Sequence, residues 1–317
     1  MRSIYRMEAG HVIVTNACNL ECSNCTQMVG HYKKPYFMDT ETVRRAILSL
    51  VTPYTTISQE FPEGFPGVIG IFGGEPTVHP QFAEICKLVQ ELIPNRRKRG
   101  LWTDGYRLER YRSIIDDTWD PDLVLLNRHE DETGRHQPLL IASDEVVDDK
   151  VLMWKLIHNC WIQERWSFGC TPKGGFFCEH AAAMDMLFDG PGGYPLEPGW
   201  WAKEANQFLD QVERSCTRCS AAIPMPAVRA SEQFDIVSAG NLELLRKAGS
   251  PRVRDGKVVV FNQKISREEI EKMLRTGWSP WRHDPQTNLL DKDEDFNTYN
   301  PPLFEKVGDL VQITLTE

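Results

Sequence analysis

Apolar runs of strand character alternate with segments of helical character through the first half of the chain. The runs that are typical of buried strands lie at residues 11–15, 67–72, 100–105, 122–127 and 138–142. Between them, apolar residues recur at helical spacing. The first such helix is predicted to have Asp39 or Thr40 as its N-cap and to bury Val43, Ile47, Leu48 and Val51. Repeated strand–helix units predict an α/β fold with a parallel sheet, whose functional residues gather at the carboxyl ends of the strands.

Chain length limits the number of domains, and net charge limits the kinds of molecule that the protein is expected to bind. The chain has 317 residues, enough for one large domain or two ordinary ones. Its 45 acidic residues outnumber its 36 Lys and Arg residues, which gives a net charge of −9. We therefore expect neither generic nucleic-acid binding nor attraction to an anionic membrane. No apolar run reaches the length of a membrane helix and no signal peptide is evident, so the sequence predicts a cytoplasmic protein.

Three of the nine cysteines form a close group near the N-terminus. Cys18, Cys22 and Cys25 have the spacing C-x3-C-x2-C directly after the first predicted strand. An odd total and a reducing compartment argue against a disulfide framework, and such spacing favours a soft-metal site. Zinc would need a fourth ligand, for which His11 and His31 are near enough in sequence. An iron–sulfur cubane held by three cysteines would leave one iron open to a small molecule.

Four further cysteines form a second group. Residues 166–178 are predicted to form a hairpin that carries Cys170 and Cys178, and Cys216 and Cys219 form a C-x2-C clip. Four thiolates make a closed site, which could hold either zinc or an iron–sulfur cluster.

At this point the chain resembles the radical S-adenosylmethionine (SAM) superfamily. The resemblance rests on the three N-terminal cysteines, on Gly73-Gly74-Glu75-Pro76 after the second strand, and on Thr103-Asp104-Gly105 after the third. It covers roughly residues 8–165. It implies a partial (β/α)6 TIM-type barrel followed by a small C-terminal auxiliary-cluster region made of a hairpin and a helix.

The resemblance also implies cofactors and their ligands. Cys18, Cys22 and Cys25 would hold a [4Fe–4S] cluster whose fourth iron binds SAM. The SAM contacts implied are Gly73, Gly74, Glu75, Pro76, Thr103 and, near the ribose, Asn127. Asn24 stands where the family usually has an aromatic residue near the adenine, so this position departs from the pattern. An electron donor such as flavodoxin or ferredoxin is implied as a partner.

The second cysteine group resembles the auxiliary-cluster regions called SPASM or, in the shorter form, twitch domains. The shorter form fits better, because only Cys170, Cys178, Cys216 and Cys219 are available. This implies an auxiliary [4Fe–4S] cluster. The domains expected are a core at residues 1–165, a twitch-like region at 166–225, and an extension over the active site at 226–317.

These features lead to an enzyme hypothesis and two alternatives. The leading hypothesis is a radical SAM oxidoreductase that abstracts hydrogen from a substrate carbon, with net oxidation through the auxiliary cluster. A peptide maturase is the first alternative, although the first strand lies so near the N-terminus that we expect no separate peptide-recognition domain. The second is a non-catalytic iron–sulfur or zinc protein. Cys86 is expected in the core, whereas Cys160 is a candidate catalytic hydrogen-atom donor.

The C-terminal third has weaker patterns. Residues 253–261 are predicted to form a hairpin about Asp255-Gly256, and Ser266 with Glu269 predicts a capping box for a short helix. Tryptophans at 278 and 281 and an acidic run at 291–295 follow.

Overall fold

A computed structural model describes residues 3–127, 129, 134–165 and 167–275; of residues 304–307 and 310–313 it describes the backbone. The strands are, in chain order, β1 (Ala9–Thr15), β2 (Tyr54–Thr55), β3 (Glu60–Phe61), β4 (Val68–Gly73), β5 (Arg99–Thr103), β6 (Val124–Leu126), β7 (Arg135–His136), β8 (Ser167–Thr171), β9 (Gly174–Phe176), β10 (Val228–Arg229), β11 (Asp235–Ser238), β12 (Val258–Phe261), β13 (Phe304–Val307) and β14 (Leu310–Ile313). The helices are α1 (Thr40–Val51), α2 (Phe82–Leu92), α3 (Arg112–Thr118), α4 (Ser143–Val146), α5 (Lys150–His158), α6 (Trp161–Arg165), α7 (Glu179–Leu187), α8 (Leu209–Cys216), α9 (Ala239–Ala248), α10 (Pro251–Arg254) and α11 (Arg267–Arg275).

The chain divides into two compact units, each made of several segments. The first unit comprises residues 1–20, 34–127 and 162–213, and the second comprises residues 21–33, 128–161 and 214–317. The predicted domain boundaries at 165 and 225 remain predictions. No helix among the described residues has the length and apolar character needed to cross a lipid bilayer.

A six-stranded sheet is the centre of the first unit, in the order β6-β5-β4-β1-β8-β9. In this order, every neighbouring pair among β6, β5, β4, β1 and β8 is parallel. The edge strand β9 pairs antiparallel with β8. The predicted α/β class with a mostly parallel sheet is therefore confirmed. Because β8 pairs with β1 rather than with β6, strand order does not follow the chain throughout, and the TIM-type barrel remains a prediction.

In helix α1, an N-cap hydrogen bond fixes the start of the helix and the spacing of apolar residues fixes its buried face. Asp39 is its N-cap, since the carboxylate accepts a hydrogen bond of 2.8 Å from the Thr42 amide. Val43, Ala46, Ile47 and Leu50 form its buried face. Leu48, which was expected to be buried, is 40% exposed.

Two predicted elements are wrong. Residues 138–142 form no strand but a single bridge from Leu140 to Val237; Pro138 has no amide hydrogen, and α4 begins at Ser143, which leaves little chain for a ladder. Residues 253–261 form no hairpin. Pro251 at the first turn and the Ser250 hydroxyl, which accepts from the Val253 amide, begin α10, and β12 then pairs in parallel with β11.

Two other predictions are confirmed. The predicted hairpin is present as β8 and β9 and carries Cys170, but β9 ends at Phe176, so Cys178 lies beyond the hairpin as the N-cap residue of α7. The capping box is also present, because the Glu269 carboxylate accepts from both the Ser266 amide and its hydroxyl at 2.7 Å. The tryptophans at 278 and 281 and the acidic run lie outside the described residues.

Candidate functional site

Three of the sequence motifs follow adjacent parallel strands in the first unit. Cys18 comes three residues after the end of β1, Gly73–Pro76 follows from β4, and Thr103–Gly105 follows from β5. Because β1, β4 and β5 are neighbours that run in one direction, the motifs share the carboxyl edge of the sheet. This is the edge where α/β folds place their ligands.

Glu75 holds the loops of this edge together. Its side chain is fully buried. It accepts hydrogen bonds from the Thr77 amide at 2.8 Å, from the Thr103 hydroxyl at 2.8 Å, and from the Asp104 amide at 2.7 Å. Glu75 and Thr103, which are two of the residues predicted to contact SAM, therefore bond to each other. Their SAM contacts remain predictions.

Gly73 and Gly74 have no room for a side chain. A Cβ at Gly73 would lie 2.1 Å from the Thr15 carbonyl oxygen, and one at Gly74 would lie 2.3 Å from that of Ala17. Two hydrogen bonds of 2.8 Å hold the backbones together, from the Gly74 amide to Thr15 and from the Glu75 amide to Ala17. The glycines thus permit close approach of the chain that leads into Cys18.

Three buried polar atoms at this edge have no hydrogen-bond partner among the described residues. They are Asn16 Nδ2, Asp104 Oδ2 and Asn127 Oδ1, which follow β1, β5 and β6 respectively. Buried polar groups are normally paired, so such atoms mark where a ligand could bind. Asn127 was a predicted ribose contact, whereas the sequence pointed to neither Asn16 nor the Asp104 carboxyl as ligand groups. Asn16 and Asp104 each follow an apolar strand directly, and this position is the signal from which the sequence could have predicted them.

Asp104 is also electrostatically perturbed. Burial, and then the negative charge of Glu75, raise the pKa of its carboxyl from 3.8 to about 7. A carboxyl at this edge therefore gains or loses a proton near neutral pH.

The raised pKa of Asp104 predicts a pH-dependent stability. Between about pH 4 and pH 7 the folded state binds the Asp104 proton more tightly than the unfolded state, so the free energy of unfolding should fall as pH rises. An Asp104→Asn variant should match the wild type near pH 4 and exceed it in stability at pH 8. Thermal unfolding at both pH values checks this, with exposed Asp116→Asn as the matched control. A difference from wild type that is the same at both pH values would contradict the prediction.

In the second unit, Cys22 and Cys25 are half-buried in a loop with left-handed residues at Asn24 and Met28. Burial raises the pKa of the Cys25 thiol, and hydrogen bonds from the amides of Val29 and Gln27 oppose the rise. Asn24 suits its left-handed backbone better than an aromatic residue would. Its Oδ1 accepts from the Ile236 amide at 2.9 Å. The predicted adenine contact of Asn24 stays a prediction.

Of the two imidazoles considered as zinc ligands, His31 has both ring nitrogens engaged, and His11 has its Nδ1 engaged and its ring packed against Phe72 and Trp102. His11 Nδ1 lies 2.7 Å from Glu179 Oε2, in the buried middle of β1. His31 Nδ1 lies 2.7 Å from the Ser250 hydroxyl and its Nε2 2.7 Å from the Asp235 carboxylate. The donor set of Cys18, Cys22 and Cys25 therefore fits an open iron–sulfur cluster better than a closed zinc site.

The second cysteine group divides between the units. In the first unit, Cys170 is fully buried in β8, which raises the pKa of its thiol, and Cys178 is the N-cap residue of α7. In the second unit, the Ser143 hydroxyl donates to the Cys216 carbonyl at 3.0 Å, and the Ala221 amide lies 3.4 Å from Cys219 Sγ. The clip is thus a tight, anchored turn.

Within the described ranges, no three His, Cys, Asp or Glu side chains are grouped as a metal site. The ligand assignments therefore rest on donor chemistry and spacing. Cys86 lies in the core, as expected. Cys160 is half-buried between α5 and α6, and its catalytic role remains a prediction.

No protein-family model matches the chain, and no curated protein matches it in sequence. Among solved structures, one match is the crystal structure of BtrN in complex with AdoMet and 2-DOIA. The two chains are 16% identical, and the match covers 67% of this chain and 88% of BtrN with a TM-score of 0.36. A likeness of this degree does not establish a shared fold.

Proposed function

We propose that this protein is a radical SAM enzyme. The observation that carries the proposal is the position of three motifs at the ends of adjacent parallel strands, with Cys18, the first of the cysteines, after β1, Gly73–Pro76 beginning at the last residue of β4 and Thr103–Gly105 at that of β5. Motifs that occur by chance would have no reason to share one sheet edge. The three orphaned polar atoms at that edge add support, because they offer hydrogen bonds to a polar ligand.

The chain's own residues would bind and orient SAM. Asn127 Oδ1 suits a ribose hydroxyl, Asn16 Nδ2 can donate to a carboxylate, and Asp104 Oδ2 can accept from an ammonium or a hydroxyl. Glu75 keeps the loops after β4 and β5 at a fixed separation. With Cys18, Cys22 and Cys25 as ligands, a [4Fe–4S] cluster would supply the electron that cleaves SAM to methionine and a 5′-deoxyadenosyl radical.

The finer part of the proposal concerns Cys170, Cys178, Cys216 and Cys219. We infer an auxiliary [4Fe–4S] cluster in a twitch-like region. A fully thiolate-ligated cluster can accept electrons but has no open iron, so the net reaction would be an oxidation of a small-molecule or peptide carbon. Flavodoxin or ferredoxin would be a suitable donor for the first cluster.

SAM cleavage tests the proposal. Anaerobically reconstituted and reduced wild-type protein should convert SAM to 5′-deoxyadenosine and methionine, measured by chromatography with mass detection. Protein that has not been reduced is the matched control and should give none. A fully reconstituted and reduced sample that forms no 5′-deoxyadenosine would instead favour a non-catalytic iron–sulfur or zinc protein.

A further inference from the structure

In the second unit, residues 230–236 contact the loop of residues 21–30, called here the cysteine loop, which carries Cys22 and Cys25. The Ser23 amide donates to the Ala230 carbonyl at 2.8 Å, and the Phe234 amide donates to the Ser23 hydroxyl at 2.9 Å. The Asn24 amide donates to the Asp235 carboxylate. Residues 230–236 therefore hydrogen-bond to the stretch between Cys22 and Cys25, more than 200 positions earlier.

Arg252 completes this arrangement. Its Nη2 donates to the carbonyl oxygens of Glu21 at 2.6 Å and Cys22 at 3.0 Å, and its Nη1 lies 2.9 Å from Asp235 Oδ1. Its side chain and that of Asp235 are only 3% and 5% exposed. Gly30 packs against the same guanidinium, since a Cβ there would lie 2.0 Å from Arg252 Nε.

A buried ion pair of this kind needs a reason beyond stability. Desolvation of two charges often outweighs their attraction, so such a pair adds little net stability compared with apolar residues. Its advantage is geometric, because the planar guanidinium can bridge a carboxylate and backbone carbonyls in one fixed arrangement. Here the backbone that it fixes is that of a predicted metal ligand.

We propose that Arg252 and Asp235 are positioning residues for the cysteine loop, which hold Cys22 and Cys25 in place and balance the charge beside them. The inference concerning charge rests on the proposed function, since it requires a cluster at these thiolates. Groups that surround the ligands of a metal site commonly tune its properties.

The two charges predict opposite effects on a bound cluster. With Arg252 replaced by glutamine, the Asp235 carboxylate keeps the His31 imidazole and the Asn24 amide but loses its guanidinium partner, and the added negative potential should lower the midpoint reduction potential. An Asp235→Asn change leaves Arg252 uncompensated and should raise it. A simple loss of packing would give no reason for shifts of opposite sign.

Amide hydrogen exchange in metal-free, reduced protein tests the positioning role. In Arg252→Gln, exchange at residues 21–30 should be faster by about tenfold or more, since hydrogen bonds to a charged group are lost. Arg254→Gln is the matched control, because Arg254 is on the same short helix but is exposed, and among the described residues its ion pair is with its neighbour Asp255. Equal exchange of this loop in the two variants would overturn the positioning role. If Arg252→Gln does not fold, Arg252→Lys carries the same test, because lysine cannot bridge both carbonyls and the carboxylate.

Redox titration of reconstituted protein, followed by electron paramagnetic resonance, tests the electrostatic role. Arg252→Gln and Asp235→Asn should shift the midpoint in opposite directions, whereas Arg252→Lys, which keeps the charge, should stay near the wild-type value. Shifts of one sign, or none, in protein that still cleaves SAM would overturn the electrostatic role and leave the proposed function intact. If wild-type protein takes up no cluster, the proposed function and the electrostatic role both fail, and hydrogen exchange still decides the positioning role.

Discussion

Protein in which Cys18, Cys22 and Cys25 are all replaced by alanine should form no 5′-deoxyadenosine from SAM. These thiolates are the proposed ligands of the cluster that would deliver the electron to bound SAM. Iron should fall from about eight atoms per chain to about four, since the auxiliary cluster would remain. Iron analysis and chromatography of the nucleoside product measure the two effects on the same sample.

Cys86→Ala is the matched control for that experiment. Cys86 is buried on α2 and belongs to neither of the two groups of closely spaced cysteines. The control should keep both its iron and its SAM cleavage. SAM cleavage that persists in the triple variant would contradict the assignment of these cysteines. Zinc in place of the residual iron would reject the auxiliary cluster and leave the assignment of Cys18, Cys22 and Cys25 intact.

Local patterns in the sequence predict the central sheet well. The apolar runs before Cys18, Gly73 and Thr103 are β1, β4 and β5, because a strand buried on both faces needs a continuous apolar run and little else. The C-terminal third was harder to predict. The turn at Asp255-Gly256 is present. The residues before it form α10 and not the predicted strand, because Ser250 and Pro251 begin a helix there.

The contacts that shape the candidate site depend on long-range pairing. Glu75 is predicted from its motif to contact a ligand, yet its partner Thr103 lies 28 positions away, and its burial follows from the strand order. Arg252 is 230 residues from the Cys22 carbonyl that it binds. Neither pairing leaves a mark on local periodicity, so only the fold identifies it.

Replacing Gly74 by alanine should destabilise the protein by about 3 kcal/mol, because the structure has no space for a methyl group at this position. Its Cβ would meet the Ala17 carbonyl oxygen at 2.3 Å, and that oxygen is backbone that also accepts from the Glu75 amide. The segment must move away from the methyl group, and Cys18 is the next residue along it. We therefore expect lower cluster content as well as lower stability, in addition to any loss of SAM affinity.

Chemical denaturation of the metal-free protein gives the free energy of unfolding, and iron analysis after reconstitution gives the cluster content. Gly256→Ala is the control. Gly256 has a φ of +69° and nothing within 4 Å of a Cβ, so alanine there costs only backbone strain, about 1 kcal/mol. If the Gly74→Ala variant is no less stable than Gly256→Ala, then the backbone at Gly74 is not packed tightly against Ala17. If stability and iron stay normal while SAM affinity alone falls, the glycines act on the ligand directly and not through the cysteine segment.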